Sequence, residues 1–226
     1  MPGPVSEPAS GATGGADDQP TPSAATRRDQ VIVAGHTGDH ATAIARLDDP
    51  DPSVRDVALG ALDRCGALGD EHLTAAASDP SPLVRRRCAE LAARRPRWSL
   101  LALLDDADPS VVELAAWACG EQHDVHDDVH DDVLDRLIAL ATDHEDALVR
   151  ESAAAALGAI GDVRALPAIL RAVDDKPQVR RRAVLALAPF DGPEVEAAID
   201  RALHDRDWQV RQGAEDLRRA TGGYDR

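Results

Sequence analysis

Three histidines and several aspartates lie close together in residues 122–135, which read QHDVHDDVHDDVLD. His123, His126 and His130 are spaced three and four residues apart, so a helix would place the three imidazoles on one side. Imidazole and carboxylate groups in such a set are typical ligands of zinc and other divalent ions. The near-identical repetition of HDV and HDDV instead indicates a short tandem expansion in a solvated loop. We therefore predict no metal site and no cofactor, and metal binding by this segment stays an open alternative.

Elsewhere the sequence contains no common catalytic motif. It has no G-x-S-x-G, no phosphate-binding loop, no Cys-x-x-Cys pair and no zincin motif. The three cysteines, Cys65, Cys88 and Cys119, fall at small or core positions of the repeating helices described below. This placement predicts buried free thiols in a reducing compartment. We therefore expect a cytoplasmic protein without enzymatic activity.

The charge balance narrows the choice of partner. The 226 residues carry a formal net charge of −16, with 25 basic against 41 acidic side chains. Nucleic-acid binding relies on a basic surface that releases counterions from phosphates, so this balance disfavours DNA and RNA as ligands. No apolar stretch approaches membrane-spanning length. Residues 1–28, rich in Pro, Gly, Ser and Ala, have the composition of a disordered tail rather than of a secretory signal.

A helical frame recurs six times along the chain and would position these residues. Each copy has a Val, in five of six copies an Asp five places before it, in five of six an Arg directly after it, and a small residue four places after it. The six Val residues are Val54, Val84, Val111, Val149, Val179 and Val210. Successive copies are 27 to 38 residues apart, and the longest step contains the histidine stretch. Repetition at such a period is typical of arrays built from one supersecondary unit.

Local chemistry accounts for the columns of this frame. Asp or Ser three places before the Val suits a helix N-cap, and Pro two places before it suits the first helical turn. The small residue lets neighbouring helices approach closely. The recurring Asp and Arg can form charge-assisted pairs between successive units. We predict such a ladder from Asp49, Arg55, Asp79, Arg85, Asp174, Arg180, Asp205 and Arg211.

Two copies depart from the ladder columns. Val112 stands where Arg is expected, so the rung there should be weak or the array should bend. His144 stands where Asp is expected, and we predict that its ring takes the place of the aspartate.

With its Asp-x4-Val-Arg-x2-Ala/Cys frame, the stretch 39–220 resembles the HEAT-repeat family, and most closely the short bacterial repeats of the phycobilin-lyase type. In that family each unit is a pair of antiparallel helices, A and B. The resemblance implies an all-α, right-handed α-solenoid of about six helix pairs over residues 29–221. We expect residues 29–39 to form a capping half-repeat and residues 222–226 to form a short tail.

The surface of such a solenoid is the expected binding site. Residues two and six places after each Val form columns of mixed chemistry, which indicates that they lie outside the core. In the central units these are Arg86, Glu113, Trp117, Glu151 and Arg181. We predict a non-catalytic, monomeric scaffold that binds another protein on the concave B-helix surface. The alternative, to which the resemblance also points, is a metal- or pigment-dependent enzyme or lyase accessory.

Overall fold

The computed structural model describes residues 22–122 and 131–221, and thirteen α-helices lie in these ranges. Their bounds are α1 Ala24–Thr37, α2 His40–Ile44, α3 Pro52–Arg64, α4 Asp70–Ala77, α5 Pro82–Ala92, α6 Leu101–Leu104, α7 Pro109–Glu121, α8 Asp131–Asp143, α9 Ala147–Ile160, α10 Leu166–Ala172, α11 Pro177–Ala186, α12 Pro193–Ala202 and α13 Trp208–Thr221. None of these helices combines the length and the apolar character that crossing a membrane requires. The predicted histidine segment, His123 to His130, lies outside the described residues.

From α2 onward the helices alternate between two layers. The B helices α3, α5, α7, α9, α11 and α13 pack side by side in chain order. The A helices α6, α8 and α10 contact one another in the same way on the other side of the core. The prediction of an all-α solenoid of about six helix pairs is confirmed.

Helix α1 extends the array further toward the amino terminus than the sequence pattern indicated. Ser23 caps the helix by accepting a hydrogen bond from the Thr26 amide, and Val31 is fully buried. Residues 24–28, which were assigned to a tail, are therefore helical. α1 packs on α3 in the B layer, and its Arg27 binds both carboxylate oxygens of Asp49, at 2.6 and 2.8 Å. The helix therefore begins before the boundary predicted at residue 28. The sequence did not reveal this start because no copy of the repeated motif surrounds it.

Arginines of the B helices bind aspartates of the following unit. In each pair, Nε and Nη2 of the guanidinium face the two carboxylate oxygens, an arrangement that is both strong and directional. The pairs and their two distances are Arg55–Asp79 (2.7 and 2.7 Å), Arg85–Asp106 (2.6 and 2.9 Å), Arg150–Asp175 (2.6 and 2.8 Å) and Arg180–Asp205 (2.9 and 2.7 Å). The third nitrogen donates to a carbonyl of the arginine's own loop, as Arg85 Nη1 does to Asp79 O at 2.8 Å. Each rung therefore ties one loop to the next.

Two residues of the predicted ladder take different places. Arg150 binds Asp175 and not Asp174, because the loop before α11 is displaced by one residue. Arg180 correspondingly donates to the carbonyl five residues back, whereas Arg55, Arg85 and Arg150 reach six residues back. Arg211 donates to the Asp205 carbonyl at 2.7 Å, and no carboxylate within the described ranges pairs with it, since no further unit follows α13 there.

One rung is missing between α7 and α9, and both of its members are replaced. Val112 is 2% exposed and lies where a ladder arginine would begin. His144 Nδ1 accepts from the Asp146 amide at 3.1 Å, as Asp106 Oδ1 accepts from the Asp108 amide in the preceding unit. The histidine therefore keeps the local hydrogen bond of the aspartate and lacks its arginine. Because Val112 replaces the arginine and His144 replaces the aspartate, neither member of the missing rung is left as an unpaired ion.

Small residues bring three pairs of B helices into close contact. A Cβ added to Gly158 would lie 2.5 Å from the Cα of Ala186, one added to Gly35 would lie 2.9 Å from that of Ala61, and one added to Gly120 would lie 3.1 Å from that of Ala156. These distances leave no room for a side chain in the first two cases and very little in the third. Small residues at these crossings therefore set the spacing of the B layer.

We expect the substitution Gly158→Ala to destabilise the fold by roughly 1–3 kcal/mol, because the new methyl group forces α9 and α11 apart. Gly60→Ala is the matched control, since nothing lies within 4 Å of its added Cβ. In that helix interior the alanine should stabilise by up to about 1 kcal/mol. Urea unfolding followed by circular dichroism measures both. Equal effects of the two variants would contradict the assigned contact.

The missing rung can be rebuilt. Val112→Arg alone should destabilise the protein, because it buries a guanidinium opposite a neutral ring. Adding His144→Asp supplies the carboxylate that pairs with it. A double-mutant cycle from urea unfolding should give a favourable coupling of about 1–3 kcal/mol. Additive effects of the two substitutions would show that the two positions do not face each other as a rung.

The ladder also makes stability depend on pH. Hydrogen bonds from arginine are the largest cause of the lowered pKa values of Asp49, Asp175 and Asp205, and burial opposes them. Because the folded pKa values lie below those of the unfolded chain, which are about 4, this contribution is complete above that pH. It is lost as the pH falls through the folded values. We expect the free energy of unfolding to be flat near neutral pH and to decrease below about pH 4.

The variant Arg180→Met with Asp205→Asn isolates one rung. Asn keeps an oxygen for the Asp207 amide, which donates to Asp205 at 2.8 Å, and removes the titrating group. Its unfolding free energy, measured between neutral pH and pH 3, should fall less steeply than that of the parent protein. Identical slopes would argue against a linked carboxylate at this rung.

Candidate functional site

One face of α7 presents an exposed indole between two carboxylates. Glu113, Trp117 and Glu121 are four residues apart, so they follow one another along the same side of the helix. Trp117 is 41% exposed, which is high for a large aromatic side chain in a repeat array. Within the described residues, neither glutamate takes part in an ion pair.

Helix α9 supplies the floor opposite this face. Ala155, Ala156 and Ala159 line it, and the close approach of Gly120 to Ala156 keeps α7 and α9 together below them. Leu148, at the start of α9, is 50% exposed and forms an apolar wall. The resulting groove has a volume of about 420 Å³. Short side chains give it depth, since longer ones in α9 would fill it.

The far side of the groove is closed by an ion-pair cluster. Glu151 Oε1 lies 3.8 Å from Nη2 of both Arg181 and Arg182 on α11. The Glu151 carboxylate is therefore balanced by two guanidinium groups. Arg182 lines the groove, whereas Arg181 does not.

The predicted binding residues are thus only partly brought together. Glu113, Trp117 and Glu151 line the groove between α7 and α9. Arg86 is exposed on α5 outside that lining, and Arg181 contributes only through its contact with Glu151. Sequence reasoning missed Glu121, Leu148 and Arg182. Glu121 could have been found from its spacing of four residues from Trp117 on the same helix. It was missed because its position does not belong to a column of the repeat.

The cluster of arginines in and just after α5 is largely paired with carboxylates. Arg87 binds Asp56 at 2.8 Å and Glu90 at 2.7 Å, and Arg94 lies 3.3 Å from Asp63. The contacts with Asp56 and Asp63 reach the preceding B helix, α3, whereas that with Glu90 lies within α5. The cluster therefore serves the packing of neighbouring units more than it offers free positive charge.

A second cavity, of about 580 Å³, lies beside the rung formed by Arg55 and Asp79. It exists because α2 has only five residues and leaves space next to α4. Arg55 and Asp79 in its lining pair with each other, and the His72 ring accepts from the Gly69 amide at 2.8 Å. The groove on α7 and α9 instead combines an exposed aromatic ring with two carboxylates, Glu113 and Glu121, that form no ion pair within the described ranges, and it is the stronger candidate.

The described residues offer little reactive chemistry. Burial raises the pKa of the Cys88 and Cys119 thiols to about 12, so both stay protonated and are poor nucleophiles at neutral pH. Within residues 22–122 and 131–221, no group of three or more His, Cys, Asp or Glu side chains is arranged to hold a metal ion.

Comparison with known proteins agrees with this architecture. The chain is a helical repeat protein, as its two layers of alternating helices define. The family model described as HEAT repeats matches residues 97–187, which contain α6 to α11 and the groove. This match agrees with the resemblance to the HEAT-repeat family found in the sequence. No curated protein matches the chain.

Solved structures of similar fold include two designed armadillo repeat proteins. One is the designed armadillo repeat protein YIII(Dq.V1)4CPAF in complex with peptide (KR)4, which is 20% identical, with a TM-score of 0.46 over 85% of this chain and 86% of that one. The other is YIII(Dq)4CqI, also 20% identical, with a TM-score of 0.47 over the same shares.

Proposed function

We propose that this protein is a non-catalytic scaffold that binds another protein through the concave surface formed by its B helices. The groove between α7 and α9 is the observation that carries the proposal. An indole ring that is 41% exposed beside an exposed Leu148 is costly to leave in water, and both residue types supply binding energy when a partner covers them. The binding residues are Arg86, Glu113, Trp117, Glu151 and Arg181, with Glu121, Leu148 and Arg182 added from the groove.

The charge distribution supports a protein ligand over a nucleic acid. The formal net charge of −16 opposes the binding of nucleic-acid phosphates. The arginines of the ladder are already paired with aspartates. Protein interfaces combine an apolar, aromatic centre with a polar rim, and Trp117 and Leu148 beside the groove carboxylates suit that arrangement.

We also propose a cytoplasmic monomer. The residues Gln212, Glu215, Asp216 and Arg219 are exposed on α13, the last B helix, and give the end of the stack a polar face. Polar terminal repeats prevent further stacking in solenoid proteins. Three free cysteines suit a reducing compartment.

Affinity capture from native cell extract tests the proposal. The triple variant Arg86→Ala, Trp117→Ala, Arg181→Ala should capture at most about one tenth as much partner as the parent protein. The reason is that the binding energy of interfaces concentrates in aromatic and arginine side chains. The matched control is Arg201→Ala, Trp208→Ala, Arg206→Ala, which removes the same residue types from the exposed carboxyl-terminal region, where Trp208 is 65% exposed. Thermal unfolding by circular dichroism checks that both variants are folded.

Capture by the parent protein and the control, with loss in the test variant, supports binding on the concave surface. Equal capture by all three proteins would move the binding site elsewhere. If no polypeptide is retained and the purified protein carries stoichiometric metal or pigment, the scaffold function fails, and the histidine segment becomes the first site to test.

A further inference from the structure

We propose that the groove between α7 and α9 receives an arginine side chain of the partner protein, whose guanidinium stacks on Trp117 between Glu113 and Glu121. This inference rests on the proposed function and adds the chemistry of the bound residue. Three features of the groove support it in turn: its charge, its single aromatic ring and its depth.

Among the described residues, the charge at the α7 side of the groove is negative and unbalanced. Glu113 precedes Trp117 by one helical turn and Glu121 follows it by one turn, so a carboxylate stands on each side of the ring. No arginine, lysine or histidine of the described residues pairs with either glutamate. The third groove carboxylate, Glu151, is already 3.8 Å from two guanidinium groups. A ligand that neutralises the α7 side must therefore bring its own positive charge.

The aromatic ring selects among cations. Indole attracts a cation over its face more strongly than the other aromatic side chains do. Among the described residues, Trp117 is the one aromatic side chain that lines the groove, whereas several rings enclose a quaternary ammonium ion in its usual sites. A planar guanidinium stacks on a single ring and donates hydrogen bonds at its edges, where the carboxylates lie. These properties favour arginine over lysine.

The shape of the groove suits a long side chain with an apolar neighbour. The alanine floor of α9 lets a side chain enter until its methylene groups contact Ala155 and Ala159. Leu148 is 50% exposed on the wall and offers an apolar contact to the adjacent partner residue. We therefore expect the bound segment to carry arginine next to an apolar residue such as leucine.

Nuclear magnetic resonance of the full-length protein tests this inference without any knowledge of the natural partner. The probe is a short peptide with one Arg-Leu pair in a glycine and serine background, beside versions with Lys, Gln or Glu in place of Arg. The indole N–H resonance of Trp117, identified by its loss in Trp117→Phe, reports on the groove. The indole resonances of Trp98 and Trp208 are internal controls.

The arginine peptide should shift the Trp117 resonance saturably and leave the other two indoles unchanged. The lysine peptide should bind several-fold more weakly, and the glutamine peptide at least about tenfold more weakly, because they lose stacking geometry and charge respectively. Glu113→Gln with Glu121→Gln should weaken arginine-peptide binding about tenfold. Glu145→Gln with Glu215→Gln changes the net charge equally at exposed sites outside the groove and should change binding less than about twofold.

Three results would overturn the arginine site. They are equal binding of the glutamine and arginine peptides, preferential binding of the glutamate peptide, and the absence of a saturable Trp117 shift with the arginine peptide. The protein-scaffold function is judged separately by affinity capture. If capture depends on Trp117 while the glutamine peptide binds as well as the arginine peptide, the scaffold stands and the arginine assignment fails.

Discussion

At every junction except that between α7 and α9, one unit of this array is fixed to the next by a guanidinium that reaches forward onto a carboxylate. The same arginine donates backward to a carbonyl of its own loop, as Arg85 does to Asp79, and the receiving aspartate accepts from an amide two residues further on. One side chain pair therefore orders two loops and the start of two helices. Because the rungs hold successive B helices in a constant register, side chains at equivalent positions recur on one surface. Between α7 and α9, where the rung is missing, the close contact of Gly120 with Ala156 holds the helices together, and Leu148 and Trp117 line the groove between them.

The packing that builds the B layer also shapes the groove. Gly120 and Ala156 allow α7 and α9 to approach closely, and the alanines of α9 leave the space above this contact open. A core of small residues thus produces a surface depression without any dedicated loop. The exposed indole then lies beside a floor that offers neither charge nor bulk. The carboxylates of the same helix, and not the fold as a whole, give the depression its chemical character.

Much of this arrangement is readable from the sequence, and the failures have identifiable physical causes. The period, the helix starts and most rungs follow from residue type at fixed spacing, because capping and ion pairing act locally or between adjacent units. Asp175 was missed in favour of Asp174 because a displacement of one residue in a loop leaves no trace in composition. Arg27 was missed because a rung at the edge of the array has no repeated motif around it. The groove was found only in part, because Glu121 and Arg182 belong to it through the packing of three helices.

The forward direction of the rungs constrains how such an array can grow. A unit that contains both a ladder aspartate and a ladder arginine can be duplicated in tandem, since the new junction pairs its own arginine with its own aspartate. The units of α7 and α9 differ in this respect. A copy of the first alone would set Val112 against a second Asp106, and a copy of the second alone would set Arg150 against a second His144. Duplicated together, they reproduce the uncharged junction between them, and Arg150 of the first copy meets Asp106 of the second. Duplication of the two units together therefore leaves no rung residue without its counterpart, and it would copy the groove as well.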